Sequence, residues 1–225
     1  MTTLSTRHFT ARSELDAALE ERLARAIAAT GPVAIMLSGG TTPLPAYRAL
    51  SHRALAPTAG LRILFSDDRY VPADSDKSNY HQSRPLLEAL ALAPQAVVRV
   101  RTELPLAEAA QDYARSLAAL LASGTRVGLG LLGLGSDGHT ASLFSAADIE
   151  RARGHLAIAV QRPDGMSAVS VTPEFLSQVA EPLFVVAGDG KRAAVESLLA
   201  RSDTLTAWRA VQGCPRVELW VSPSD

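Results

Sequence analysis

Short apolar runs alternate with segments of helical apolar spacing along almost the whole 225-residue chain. Val33–Leu37, Leu61–Phe65 and Arg126–Leu132 are each too short for a helix and, apart from Arg62 and Arg126, apolar, so each reads as a buried strand. Residues 13–29 instead place Leu15, Ala18, Leu19, Leu23, Ala26 and Ile27 on one helical face, with Ser13 as the expected N-cap. The same patterning predicts helices at 43–55, 78–90, 106–121 and 190–200, and a short one from about His139. Thr42 is the expected N-cap of the first of these, with Pro43 in its first turn. Further strands are expected at 97–100, 156–160, 168–171, 183–187 and 217–221. Strand–helix alternation of this kind specifies the α/β class: one domain over 1–225, with a mainly parallel central sheet flanked by helices. No internal repeat or long linker interrupts it.

Charge narrows the partners. A net charge of −1 gives no general electrostatic reason to bind nucleic acid or an anionic membrane. Residues 1–30 carry acids throughout a helical pattern and lack the apolar core of a signal peptide, and no apolar run approaches spanning length. Cys214, the one cysteine, has no intramolecular disulfide partner. A cytoplasmic monomer or weak homodimer is expected. The five histidines and the cysteine show no zinc-ligand spacing, so neither a metal site nor a cofactor is expected.

Chemistry concentrates where strands end. The Arg126–Leu132 strand runs into Gly133-Leu-Gly-Ser-Asp-Gly-His139, which delivers Asp137 and His139 at the carboxyl end of a parallel strand, where open α/β sheets bind their ligands. A histidine there can take and return a proton near neutral pH. Asp137 is placed to orient the ring or a water. Backbone amides of the 133–138 loop, Gly135 among them, are candidates for supporting a developing oxyanion.

Three other strand ends matter. Ser38, Gly39, Gly40, Thr41 and Thr42 follow the Val33–Leu37 strand and precede a helix. Amides, hydroxyls and a helix N-terminus there can cradle a phosphate. The loop lacks the Lys-Ser/Thr ending of a nucleoside triphosphate site. The same residues also suit a plain glycine turn before a capped helix, and this motif alone does not separate the two. Asp67, Asp68 and Arg69 could act as base, hydroxyl acceptor and anion fork, or form a solvated charged turn. Ser78 or Asn79 can cap the next helix. Lys191 follows Gly188-Asp-Gly190 at another helix start, either facing a phosphate or lying exposed. Gly133-x-Gly-x-x-Gly138 also matches the dinucleotide fingerprint, which needs an acid closing the next strand. The 156–160 strand ends in Gln161 and Arg162, so that reading falls behind.

Taken together, Ser38 to Thr42, Phe65 to Pro72, Ser78-Asn79, Gly133 to Phe144 and Gly188 to Lys191 resemble the motif series of the 6-phosphogluconolactonase family, relatives of the glucosamine-6-phosphate deaminases. The Asp-Gly-His-Thr-Ala-Ser-Leu-Phe block at 137–144 is its most specific part. The resemblance implies a Rossmann-like fold of the sugar-phosphate isomerase type. It also implies hydrolysis of 6-phospho-D-glucono-1,5-lactone to 6-phosphogluconate in the oxidative pentose phosphate pathway. His139 and Asp137 would be catalytic. Ser38 to Thr42, Asp67, Arg69, Asn79, Gly135, Arg162 and Lys191 would bind the sugar phosphate.

Two rivals remain at this point, a deaminase-like isomerase and a non-catalytic sugar-phosphate sensor. The deaminase pattern carries a glutamate shortly after its histidine, whereas this chain has Thr140, Ala141, Ser142, Leu143 and Phe144. The chain departs from its family at Asp68, usually Glu, at Ser145, often Pro, and at Ala168, where many members carry an arginine. If that arginine helps bind phosphate in the family, its loss here would either weaken affinity or shift the load to Arg162.

Overall fold

The computed structural model describes residues 2–223. The chain runs through β1 (Thr3–His8), α1 (Arg12–Ile27), β2 (Val33–Leu37), α2 (Leu44–Ser51), β3 (Leu61–Phe65), β4 (Asp67–Arg69) and α3 (Asn79–Ala89). It continues with β5 (Val97–Val98), α4 (Leu106–Ala122), β6 (Arg126–Leu132), α5 (Ala146–Arg151), β7 (Ala157–Gln161) and β8 (Ser167–Val171). Then come α6 (Pro173–Leu176), β9 (Pro182–Ala187), α7 (Arg192–Leu199), α8 (Thr206–Val211) and β10 (Arg216–Ser222).

Seven strands form the central sheet in the order β1-β10-β9-β6-β2-β3-β5, every pair parallel. Period-two alternation divides its side chains between two cores. Val33, Ile35 and Leu37 of β2 pack with α1, α2 and α3 through Leu19, Leu23, Tyr47 and Leu86. Ala34 and Met36 face the opposite layer, among Tyr113 and Leu117 of α4 and Trp208 of α8. Both faces are therefore covered, as a parallel sheet requires. A small antiparallel sheet, β4-β8-β7, stands beyond the carboxyl end of β3. Ser66 is its hinge: its amide donates to the Leu37 carbonyl at 2.8 Å and its carbonyl accepts from the Val171 amide at 2.9 Å.

Two tyrosines close strand ends from opposite layers. The buried Tyr47 hydroxyl donates to the Ser38 carbonyl at 2.9 Å and accepts from the Ser38 amide at 3.3 Å, just past β2. The Tyr113 hydroxyl does the same for Phe65 in β3, donating at 2.5 Å and accepting at 3.1 Å. Burial pushes both phenols well above their ordinary range, so each remains a neutral donor–acceptor.

Several local expectations need correction. The β1 strand has no apolar alternation because it is an edge strand with mostly exposed side chains. The α1 helix starts at Arg12, with Ala11 rather than Ser13 at the cap. Glu14 reaches back to the Thr10 amide and hydroxyl at 3.0 and 2.9 Å. Pro43, not Thr42, occupies the N-cap of α2, which ends at Ser51 rather than near 55. No helix begins at His139. Ala141 takes a positive φ of 49°, Thr140 bridges to Leu143, and the helix starts only at Ala146. There Ser145 and Asp148 form a reciprocal capping box.

Replacing Tyr113 with Phe keeps the packing but strands a buried amide and carbonyl of β3. Urea denaturation is expected to show a loss of about 1–3 kcal/mol. An unchanged midpoint would show that the paired bonds to Phe65 contribute nothing net.

Candidate active site

Loops after β2, β3, β6 and β9 meet at the carboxyl edge of the sheet. Strand order reverses between β2 and β6, since the chain runs outward from β2 to β3 and β5 and returns on the other side. A crevice opens at such a reversal in an open α/β sheet.

The β2 loop presents its backbone. Gly39 is obligatory because a Cβ there would fall 1.8 Å from Oδ1 of Asn79. Among the described residues, the amides of Gly39, Gly40, Thr41 and Thr42 meet no protein acceptor. The loop is anchored from behind, where Arg12 donates to the Thr42 carbonyl at 2.9 Å and pairs with Asp16 at 2.8 Å. Unpaired amides at a helix start, backed by a guanidinium, suit an anion. Arg12 was invisible in the sequence, lying thirty residues from the loop it serves with no motif around it.

The acidic pair at the next strand end divides its labour. Asp68 is buried and accepts from the Asn79 amide (2.7 Å), the Tyr80 amide (3.2 Å) and the Ser78 hydroxyl (3.0 Å), which fixes the start of α3. Burial pushes its carboxyl up to about 6, while the two amide bonds pull it down. Asp67 faces the crevice and accepts from Ser66 (2.9 Å), Asn79 (3.3 Å) and Ser142 (2.6 Å) side chains. The cap of α3 is Ser78, whose hydroxyl accepts from the His81 amide. Asn79 instead bridges, donating to the Asp67 carbonyl at 2.8 Å and accepting from Arg69.

In the β6 loop, Nδ1 of His139 lies 2.5 Å from Oδ1 of Asp137. That carboxylate bond assigns the proton to Nδ1 and leaves Nε2 as the basic nitrogen. Burial raises the Asp137 carboxyl, but hydrogen bonds from the His139 ring and amide outweigh it, and it ends below its ordinary value. Gly135 makes room for this pair: a Cβ there would stand 2.1 Å from Nδ1 and 2.4 Å from Oδ1. Its amide is not open to a ligand, since it donates to the His139 carbonyl at 2.9 Å. The Gly138 amide is likewise engaged, with the Gly135 carbonyl at 3.0 Å. The expectation that Gly135 binds through its backbone is therefore corrected; it borders the cavity and shapes the pair.

Two further cations complete the site. Lys191 follows Gly188, whose φ of 101° turns the chain after β9. Among the described residues its ammonium has no hydrogen-bond or carboxylate partner. Burial first, and then the charge of Arg12, lower its pKa. Arg162, at the end of β7, pairs with Asp164 at 2.9 Å and lies 5.1 Å from the Phe144 ring centroid.

One cavity of about 270 Å³ collects these groups. All eleven residues expected to contact substrate line it, together with His139. Asp137 stands behind His139 and does not line it. Pro43, Leu134 and Ala141, apolar residues that carry no chemical signal in the sequence, also border it. Among the described residues no three His, Cys, Asp or Glu side chains gather as metal ligands, and no helix is long and apolar enough to cross a membrane.

A loop suited to an anion, the Lys191 ammonium and a histidine braced by Asp137 meet at one small cavity, the arrangement of a site for a compact anionic molecule. Residues 9–217 match the family described as glucosamine-6-phosphate isomerases/6-phosphogluconolactonase, and the chain belongs to it. It is 31% identical over 184 residues to a 6-phosphogluconolactonase of Thermotoga maritima, covering 80% of this chain and 77% of that protein. It is 32% identical over 207 residues to one of Homo sapiens, covering 85% and 80%. The solved 6-phosphogluconolactonase of Trypanosoma brucei superposes with a TM-score of 0.84 at 26% identity, covering 99% and 97% of the two chains. A monomeric glucosamine-6-phosphate deaminase shares the fold, with a TM-score of 0.82 at 16% identity over 97% of each chain.

Asp68 yields a pH test. Its folded value, near 6, lies above the free value of 3.8, so the native state binds the proton more tightly than the unfolded chain. The contribution of this group to stability is fullest below pH 3.8 and declines as pH rises through 6, by about 3 kcal/mol in total. Urea titrations of wild type and Asp68→Asn at pH 4 to 7 should diverge in slope over that window. Parallel curves would contradict the assignment.

Proposed function

We propose that this protein hydrolyses 6-phospho-D-glucono-1,5-lactone to 6-phosphogluconate, as its similarly built relatives are named for doing. The observation that carries the reading is His139, braced by Asp137, opening into the same cavity as an unneutralised Lys191 and the bare amides of 39–42. The phosphate rests on Ser38, Gly39, Gly40, Thr41 and Thr42, with Lys191 and Arg69 supplying charge. Asp67, held by three donors, keeps acceptor capacity for a sugar hydroxyl.

His139 Nε2 takes a proton from a water as that water attacks the lactone carbonyl. The carbonyl electrons move onto oxygen, where the amides of Gly133 and Leu134, at the start of the loop, support the oxyanion. Collapse breaks the bond to the ring oxygen, which leaves with the proton from His139. Asp137 keeps the ring in its tautomer and stabilises the imidazolium. A lactone is a closed, activated ester and needs no ring opening. Phe144, not a carboxylate, stands against the His139 ring at 4.4 Å, which favours this reaction over the deaminase chemistry.

We also propose that the chain acts as one cytoplasmic domain, a monomer or weak homodimer with no nucleic-acid partner. Support comes from the pairing of β1 with β10, which ties the two ends into one sheet. Leu199 is the one large hydrophobic side chain exposed among the described residues.

The decisive assay follows lactone loss with the spontaneous rate subtracted. His139→Ala should lower kcat by about 10²–10⁴-fold while 6-phosphogluconate still binds. A near-normal kcat in that variant would move the base elsewhere. Tight product binding without acceleration by wild type would identify a sensor, and ammonia release from glucosamine 6-phosphate a deaminase.

Lys191→Ala and Arg69→Ala should each raise KM by the equivalent of about 1.5–3 kcal/mol of charged hydrogen bonding. An unchanged KM in both would remove the phosphate from this loop.

A further inference from the structure

His139 is fixed on two sides. Asp137 holds the Nδ1 edge, a contact that still permits the ring to swing about the hydrogen bond. The Phe144 ring closes one face, with centroids 4.4 Å apart and planes tilted by 38°. Arg162 is fixed in a parallel way. Asp164 accepts from its Nε and Nη2 at 3.1 and 2.9 Å, and Ser142 Oγ lies 3.4 Å from its Nη1. The guanidinium carbon then lies 5.1 Å from the centroid of the same Phe144 ring, within cation–π range. The Arg162 side chain is only 12% exposed, so its contacts with that ring and with Ser142 are largely shielded from water.

Phe144 does not depend on a ligand for its own position. Its amide donates to Asp148 Oδ2 at 3.0 Å, and Asp148 is buried at the first turn of α5. The Ser145 amide and hydroxyl reach the same oxygen at 2.9 Å, and Arg151 holds the other oxygen at 2.6 Å. The short helix α5 thus sets the backbone that aims the ring.

We propose that Phe144 is a positioning residue that seats the base and a substrate-binding cation on one aromatic ring, coupling proton transfer to anion capture. The proposal rests on the hydrolytic reading above and adds to it the residue that fixes the relative placement of two groups. Preorganised placement of this kind is worth rate because a reacting geometry is lost with small misalignment.

The test compares Phe144→Leu, which keeps apolar bulk without a π-face, with Phe144→Tyr, which keeps the ring. Phe144→Met replaces the Leu variant if the latter does not fold, as judged by its urea midpoint. Leu should lower kcat about 10-fold, part of what acid–base catalysis supplies, and raise KM about 3-fold, the scale of one exposed cation–π contact. Tyr should stay within about twofold of wild type in both constants. In the double variant with Arg162→Met, the KM effect of Leu should vanish, because its target is gone. Wild-type kinetics in Leu, equal damage in Leu and Tyr, or additive KM effects would each overturn the proposal.

A second readout separates this failure from that of the functional reading. If wild type does not hydrolyse the lactone, the function falls, yet the Nδ1–H signal of His139 can still be followed by NMR. Its retention in Tyr and loss in Leu supports the positioning role. Its retention in both ends it.

Discussion

An all-parallel sheet sends every strand out at one edge, and the rest of this molecule depends on what happens where that edge divides. Between β2 and β6 the connections depart in opposite directions, so no crossover helix covers the gap. Backbone amides left there have no partner strand, and burying them without acceptors would be costly. The chain answers in two ways. Tyr47 satisfies both polar groups of Ser38, just past β2, with a single hydroxyl, as Tyr113 does for Phe65 in the neighbouring β3. The amides of 39–42 are left open, and an anion is the natural acceptor for them.

The small antiparallel sheet turns that crevice into a shaped cavity. Asp67 opens its first strand and, besides its neighbour Ser66, joins two segments distant in sequence: Asn79 at the start of α3 and Ser142 beyond the histidine. Ser170 in β8 ties the Ser142 amide at 3.1 Å. The loop bearing His139 is therefore anchored to the strand bearing Arg69 through a buried polar network in which each member has partners. Such networks give rigidity when complete and are expensive when broken.

Much of this was legible in the residues, and the failures follow a pattern. The buried strands β2, β3 and β6 were readable because burial on both faces forces a continuous apolar run. The edge strand β1 and the strand Asp67–Arg69 were not, since one is solvent-facing and the other is built from charges satisfied by tertiary partners. His139, Lys191 and the glycine cradle stood out because their positions at strand ends limit their possible uses. Arg12 did not, because it acts on a loop that only folding brings near, and the contact of Phe144 with Arg162 was hidden for the same reason although the phenylalanine closes the histidine motif. The misplaced helix at His139 shows the limit of spacing arguments. An alanine in the left-handed region and a capping box six residues on defer the helix to Ala146, and the deferral lets the histidine point into the crevice.

The pairing of β1 with β10 carries a consequence for how the molecule is made. Thr3 is in register with Arg216 and His8 with Val221, so β1 finds its partner only in β10, made after the other strands of the sheet. Until β10 emerges, β1 has no neighbour, and β9, its sheet companion on the far side of β10, lies at an open edge. Contacts of such long sequence separation form late because loop closure precedes their reward. The half of the sheet holding β2, β3 and β6 needs no such wait. The crevice can therefore take shape before β10 is made, and the edge distant from it seals last.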